Sequence, residues 1–443
     1  MTSRELALNV LQNVENGKKS GTSLHELLNN TSLERPDRAL ATELVNGVLR
    51  RRLTLDAVIS ACYHHRYDKI APALKNILRI GTYQLLWLNR IPKWAAVSES
   101  VNLARKYKGD RMAQLVNALL RKIDPDKTLH EVLLKETQEI RRLAITFSHP
   151  EWLIERWSAI YGLDKTIAML EYNNRTPLTG FRINTLKTTF QEFVSTHGMN
   201  ESINTITGLD NFFLAEDFSR FEPFIKKGFL TVQNPTQSLA CRLCNPSPGS
   251  NVIDLCAAPG GKSTFLGELM RNSGSITSVD LYSKKLEKLT AHATELGISI
   301  ISTVASDARN FVPASMPDII LLDAPCSGSG VLARRAELRW KLSLAMLTEL
   351  ITLQAGLLEH AASLLGADGV LVYATCSIEA EENQNQIDAF LRNHPEFARD
   401  PQNGTLPEPF AGSASENGSI LMLPGELSGF DGGFVQRLKK TSH

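Results

Sequence analysis

Apolar positions change rhythm twice along the chain. Up to about residue 145 they recur at spacings of three and four: Leu6, Val10, Leu11 and Val14 form one stripe, Leu44, Val45, Val48 and Leu49 a second, and Ile77, Leu78, Ile80 and Leu85 a third. That period puts each stripe on one helix face, so residues 1–145 are predicted to be an all-α bundle with short loops. Residues 146–235 are mixed. Ser148-His149-Pro150 and the aromatic region around Trp152 and Trp157 precede two stretches of strand composition, Phe181–Thr185 and Phe229–Val232, which predicts a small α+β module. In the third segment, 236–443, short apolar runs alternate with helical patterns: Asn251–Leu255, Ile276–Val279, Ile298–Val304, Asp318–Leu322 and Val370–Ala374. Strands separated by crossover helices predict an α/β, doubly wound parallel sheet, with ligands outside the carboxyl ends of its strands. Residues 398–418, rich in Pro, Gly and Ser, read as a loop.

Composition first misleads and then helps. The 443 residues carry 48 basic and 47 acidic side chains, a formal charge of +1 that at face value argues against a nucleic-acid partner. Residues 1–145, however, hold 24 basic and 15 acidic residues, a net of +9, leaving 24 and 32, a net of −8, for the remainder. Within the basic third, Arg50-Arg51-Arg52 falls where a helix is expected to end. Lys93, Arg105, Lys106, Lys108, Arg111, Arg121 and Lys122 interleave with Trp87, Trp94 and Tyr107. Cations offer phosphate affinity and aromatic rings offer stacking surfaces for unpaired bases, so an RNA partner is expected. No run reaches the ~20 apolar residues of a membrane-spanning helix and no signal-peptide core is present, so no membrane partner and a cytosolic location are expected.

Chemistry is sought where the strands end. The first such place reads Asp254-Leu255-Cys256-Ala257-Ala258-Pro259-Gly260-Gly261-Lys262-Ser263-Thr264. Small residues between a strand and a helix let a ligand approach the backbone, and the helix N-terminus presents free N–H groups. A P-loop would need glycine at position 256, which is Cys. Asp280 ends the next strand, suited to ribose hydroxyls, and Asp307 follows the third, suited to an adenine amino group. The G-x-G-x-x-G fingerprint of a dehydrogenase is missing. Together these acids describe a nucleoside with a charged amino-acid tail, and S-adenosylmethionine fits better than a pyrophosphate cofactor.

The fourth strand ends in Asp323-Ala324-Pro325-Cys326-Ser327-Gly328 and the fifth in Thr375-Cys376-Ser377. Two thiols at neighbouring strand ends would face one crevice. A metal is not expected, because the only C-x-x-C, Cys241 to Cys244, has no nearby partner pair and reads as one face of a helix. Two thiols and an acid beside a methyl donor suit one reaction. Carbon 5 of cytosine is a poor nucleophile until a thiolate adds at carbon 6, an acid at ring nitrogen 3 steadies the developing charge, and after methylation the carbon 5 proton must leave before the thiol can. Which thiol attacks is left open by the residues themselves.

The strings 254–262, 323–328 and 375–377 resemble the motifs of the RNA cytosine-C5 methyltransferases of the Sun/Fmu/NOL family. The front third, with Glu43–Arg50 and Leu78–Leu85, resembles a NusB-like RNA-binding domain. The resemblance implies a Rossmann-like class I methyltransferase domain (236–443) preceded by the NusB-like domain (1–145) and the small α+β module (146–235). It implies Cys376 as nucleophile, Cys326 as the group assisting release and Asp323 between cofactor and base. Cys256, Ala257, Ala258, Pro259, Gly260, Gly261 and Lys262, with Asp280, Asp307 and Asp323, would surround S-adenosylmethionine. The implied substrate is 16S rRNA, free or in an assembling small subunit, acted on by a monomer. The same reaction on transfer RNA, and a NusB-like assembly factor with a vestigial catalytic domain, are the rival readings. Three departures stand out: Gln233-Asn234-Pro235 where relatives carry Gln-Asp, Arg334-Arg335-Ala336 without a proline after the arginine pair, and Asp431-Gly432-Gly433-Phe434 with one aromatic fewer.

Overall fold

Thr2 starts the first helix. Its hydroxyl accepts from Glu5 N while the Glu5 carboxylate accepts from Thr2 N, a reciprocal cap for α1 (Ser3–Glu15). The helices that follow are α2 (Ser20–Asn29), α3 (Arg35–Cys62), α4 (Pro72–Trp87), α5 (Lys93–Lys108), α6 (Asp110–Lys122), α7 (Thr128–Lys135), α8 (Glu139–Phe147), α9 (Glu151–Tyr161) and α10 (Leu163–Asn173). The computed structural model describes residues 1–198, 203–401 and 406–441. It divides into two compact units, Met1–Arg175 with Leu332–Lys341, and Thr176–Val331 with Leu342–His443.

In the helical unit all three apolar stripes enter one core, where Leu6, Val10, Leu44, Val48, Ile77 and Ile80 are buried. The arginine triplet does not end a helix as expected. It sits inside the 28-residue α3, because Leu55, Val58 and Ile59 continue the buried stripe and nothing between Arg52 and Cys62 breaks it. A second finding is that residues 332–341, far along the chain, belong to this unit. Ala336 joins its core. The fully buried Arg339 donates to the carbonyls of Arg50 (3.2 Å), Ser148 (3.2 Å) and Asn173 (2.9 Å), and Trp340 Nε1 donates to Leu49 O (2.7 Å). Ala336 is the member of this segment that enters the core of the helical unit.

The second unit begins with an antiparallel sheet of β1 (Thr179–Ile183), β2 (Asn204–Thr205), β3 (Phe212–Ala215) and β4 (Leu230–Val232), in the order β2-β3-β1-β4. Helices α11 (Phe190–His197) and α12 (Phe218–Lys226) accompany it, and Phe181, Phe193, Phe213 and Phe221 fill the space between. Beyond it α13 (Pro235–Cys244) leads to β5 (Asn251–Leu255), α14 (Gly261–Leu269), β6 (Ser275–Asp280), α15 (Ser283–Leu296), β7 (Ile301–Ala305), β8 (Ile319–Asp323), α16 (Leu344–Ser363), β9 (Val370–Thr375) and α17 (Gln384–Asn393). Three further strands, β10 (Phe397–Arg399), β11 (Ile420–Met422) and β12 (Gly433–Lys440), escaped the periodicity reading. The expected loop at 398–418 in fact holds a short helix at Glu408–Ala411; residues 402–405 of it lie outside the described residues.

The large sheet runs β10-β12-β9-β8-β5-β6-β7, parallel from β9 to β7, with β12 antiparallel to β9. Alternate residues serve opposite faces. Val252, Ile319, Leu321 and Val372 pack with Leu239, Phe265 and Leu266, while Ile253, Leu255, Ile320, Leu322 and Leu371 pack with Leu358, Ala361 and Ile387. Both faces are covered, as a parallel sheet requires. The chain runs outward from β5 to β7 and returns at β8, so a crevice opens beyond the carboxyl ends of β5 and β8.

Arg182 on β1 anchors the small sheet to the helix that follows the first motif. It is fully buried, ion-paired with Glu268 at 2.9 Å, and donates to Gly261 O at 2.9 Å and to Gln233 Oε1. Removing one partner leaves a buried charge unpaired, so Arg182→Ala should destabilise the protein by about 3–5 kcal/mol. Urea unfolding measures it; an unfolding free energy equal to wild type contradicts this.

Candidate active site

Four aspartates reach the crevice from successive strands. Asp254, within β5, is fully buried; Ser263 Oγ donates to its Oδ2 at 2.5 Å, and its Oδ1 has no hydrogen-bond partner. Asp280, ending β6, accepts from Ala258 N (3.2 Å) through Oδ2 and from Tyr282 N (3.0 Å) through Oδ1. It thereby holds the motif turn against the next strand end. Asp307, past β7, is paired with Arg309 at 2.6 Å, which holds its carboxyl down at about 2. Asp323, ending β8, accepts from Lys262 Nζ at 2.7 Å.

Between these acids lies Cys256. Its left-handed backbone (φ +62°) turns the chain from β5 toward α14. Burial first, then the surrounding carboxylates of Asp323, Asp254, Asp280 and Asp307, push its thiol up to about 12. Cys256 is therefore held as a neutral thiol that marks where the four acids converge. Gly260 completes the turn at φ +103°, and a Cβ there would lie 2.4 Å from the Leu289 side chain, which excludes any larger residue. The site thus offers carboxylates for a cation and for paired hydroxyls, and an unpartnered buried acid oxygen. This donor set fits S-adenosylmethionine, a cationic nucleoside with a ribose diol.

Burial pushes the Asp254 carboxyl up to about 7 against Ser263, which lowers it. A carboxyl raised on folding contributes stability below the ordinary carboxylate range, and that contribution is lost as pH rises through 7. Unliganded protein should therefore lose on the order of 4 kcal/mol between about pH 4 and pH 8 from this group. Asp254→Asn should flatten that slope. Urea unfolding across pH tests it, and an Asn variant with the wild-type slope would contradict the assignment.

The two thiols meet. Cys326 Sγ and Cys376 Sγ are 3.2 Å apart, one after β8 and the other after β9. Their surroundings differ in sign. The Cys326 thiol is driven well above its ordinary value, first by its hydrogen bond with Cys376, then by burial, and further by the charges of Cys376 and Glu382. Lys262, by contrast, is an ammonium whose pKa burial would lower but whose charge interactions with Asp323 and Cys376 raise it. The two thiols are thus coupled through one hydrogen bond, and Cys376 is the member whose charge acts on the Lys262 ammonium. Cys376, Lys262, Asp323, Thr375 and Asp431 line one small cavity of about 30 Å³. A larger cavity, about 820 Å³, lies in the helical unit and is lined by none of these residues.

The support beneath the thiols was not legible in the sequence. Glu382, fully buried, accepts at Oε1 from Ser327 N (2.8 Å) and Gln354 Nε2 (2.9 Å), and at Oε2 from the hydroxyls of Ser327 and Ser377 (both 2.5 Å). One carboxylate thus clamps the residue after each cysteine. Its position in the run Glu379-Ala380-Glu381-Glu382 reads as a solvated acidic turn; the repeated Cys-Ser pair was the one available signal.

The departures also have physical reasons. Asn234 caps α13 by accepting from Thr236 N (3.1 Å), accepts from Asp431 N (3.3 Å) and donates to Gly429 O (3.0 Å). An aspartate could not make the last bond. Gly433 has no room for an aromatic ring: a Cβ would lie 2.9 Å from Thr375 O, next to Cys376. Cys241 and Cys244 are buried on α13, and Cys241 Sγ donates to Lys262 O at 3.5 Å.

Comparison with known proteins identifies the family. The family profile of 16S rRNA methyltransferase RsmB/F matches residues 241–439, that of the NusB family residues 1–125, and that of the RsmF/B-like ferredoxin-like domain residues 149–196. The probable ribosomal RNA small subunit methyltransferase B of Synechocystis is 33% identical over the whole of both chains. Ribosomal RNA small subunit methyltransferase B of Pseudomonas syringae is 31% identical over 100% of this chain and 98% of its own. The crystal structure of PH0851 aligns over 99% of each chain with a TM-score of 0.83 and 26% identity. The chain belongs to the RsmB/F family of 16S rRNA methyltransferases.

Proposed function

We propose that this enzyme methylates carbon 5 of a cytosine in 16S rRNA through a covalent bond between Cys376 and carbon 6 of the base. The observation that carries the reading is the pair of thiols 3.2 Å apart, with Lys262 and Asp323 joined at 2.7 Å beside them. Methylation of a ring nitrogen, an exocyclic amine or a ribose needs no thiol, let alone two.

Lys262 favours the Cys376 thiolate, which adds to carbon 6 and pushes electron density onto carbon 5. Asp323, once it takes a proton from its partner Lys262, would donate a hydrogen bond to ring nitrogen 3 as charge develops there. S-adenosylmethionine, when bound, supplies an electrophilic methyl group for carbon 5. Asp280 would hold its ribose hydroxyls and Asp307 its adenine amino group, with Arg309 giving up part of its grip on Asp307. The carbon 5 proton then passes to solvent water, the electrons of that bond re-form the ring double bond, and the Cys376 sulfur leaves as thiolate. Cys326, the neighbouring protonated thiol, assists that release.

Residues 1–145 are assigned the holding of RNA, 236–443 the chemistry, and 146–235 the placement of RNA at the crevice. The target base must leave its stack, which favours a loop or an incompletely assembled subunit as substrate. Among the described residues no helix is long and apolar enough to cross a membrane. Incubation with S-adenosylmethionine and 16S rRNA, followed by nucleoside analysis, tests the reading. The expected product is 5-methylcytidine; a methyl group on any other atom overturns it.

A further inference from the structure

The helical unit sorts the aromatic residues of the basic third into occupied and available. Trp87 is stacked on Tyr83 (5.4 Å between centroids) and has Arg51 over its ring (5.4 Å), so it is already engaged. Tyr107 lies under Lys106, which is itself paired with Glu5 at 2.5 Å. Trp94, in the first turn of α5, is 75% exposed, and among the described residues no ring or cation is stacked on it. An indole so exposed is unusual, because burial of its large apolar surface is worth ~2–3 kcal/mol.

Trp94 lines a groove of about 610 Å³ between α5 and α6 whose charged residues are Lys93, Arg105 and Arg121. No acid lines this groove, whereas the 820 Å³ cavity of the same unit contains Glu15 and Glu337. Arg105 is paired with Asp110 at 2.9 Å, but Lys93 and Arg121 make no ion pair among the described residues. Asn102, Asn117 and Ser98 supply polar edges along the groove. A bare π-face flanked by unneutralised cations is complementary to one class of ligand, a nucleobase carrying its phosphate. A protein segment would need acidic groups for the cations and an apolar anchor for the ring at once.

We propose that this groove binds single-stranded RNA, with an unpaired base stacked on Trp94 and the adjoining phosphates on Lys93 and Arg121. This rests on the RNA-methylation reading and names where the helical unit grips the strand. The test uses full-length protein and two probes, 16S rRNA transcript and a mixed-sequence 12-nucleotide RNA, free or annealed to its complement. Trp94→Ala should weaken binding of both single-stranded probes by about 5- to 100-fold. Trp94→Phe should restore much of it. Arg121→Gln should lower the salt slope of binding by about one. Annealing the oligomer should erase the difference between wild type and Trp94→Ala. S-adenosylmethionine binding and melting temperature should not change, since Trp94 packs against little. If wild type methylates and binds 16S rRNA while Trp94→Ala matches its affinity, the groove assignment fails alone. If Trp94→Ala loses a ribosomal protein instead of RNA, the surface docks protein and the assignment is overturned. If wild type binds no RNA, the underlying reading fails as well.

Discussion

Cys376→Ala should abolish methyl transfer, with a fall of roughly 10⁴-fold or more in turnover, while S-adenosylmethionine binding and folding persist. The size of the effect follows from the substrate. Without a thiolate at carbon 6, carbon 5 of cytosine carries too little electron density to attack a methyl group, and Lys262 and Asp323 cannot supply it. Cys376→Ser should be nearly as inactive, because a hydroxyl beside Lys262 does not ionise near neutral pH. Single-turnover methylation with labelled cofactor measures this. Retention of more than a few per cent of wild-type activity in the alanine variant would falsify the role given to Cys376.

Cys326→Ala should give the opposite signature, a protein–RNA adduct that survives denaturing electrophoresis. Lys262 and Asp323 are untouched by this change, so the Cys376 thiolate still forms and still adds. What is lost is the protonated thiol 3.2 Å from it, and release of the methylated base stalls. Adduct should approach one per enzyme while turnover falls about 10²-fold or more, the usual range for loss of a general acid or base. The double variant Cys326→Ala, Cys376→Ala should form none. An adduct in Cys376→Ala and not in Cys326→Ala would exchange the two roles. The clamp at Glu382 makes both changes local, because Ser327 and Ser377 remain tied to it whichever thiol is removed.

Much of this site could be read from the chain, and the reasons are specific. The central strands β5, β8 and β9 are buried on both faces and appear as apolar runs, and all five parallel strands, the half-exposed edge strand β7 included, are found within about three residues of their observed bounds. Their ends then located Asp254, Asp280, Asp307, Asp323, Cys326 and Cys376. By contrast, β12 pairs with a strand some sixty residues earlier, Val435 opposite Ala374, and nothing local announces that pairing. Residues 332–341 are hidden in the same way, since Arg339 finds its acceptors at Arg50, Ser148 and Asn173. The order of the two thiols is open in the spacing, which carries no sign of charge; what distinguishes them is that Cys376 acts on the Lys262 ammonium.

Residues 332–341 also affect how the division of labour should be tested. Removing 1–145 would strip the core around Ala336 and take away the Arg50 acceptor of the buried Arg339 and the Leu49 acceptor of Trp340. A truncated protein that fails to act would then report misfolding as readily as lost RNA affinity. Substitutions at exposed positions such as Trp94 and Arg121 keep the unit intact and are the cleaner probe.

Covalent attack by Cys376 is open to direct observation with 16S rRNA in which cytidine is replaced by 5-fluorocytidine. Fluorine at carbon 5 cannot leave as a proton does, so elimination is blocked after methyl transfer and the sulfur–carbon 6 bond persists. Digestion and mass spectrometry of the trapped complex should find the peptide containing Cys376 carrying one methylated fluorocytidine nucleotide. The same nucleotide on the Cys326 peptide, or none on either although the natural RNA is methylated, would contradict the mechanism.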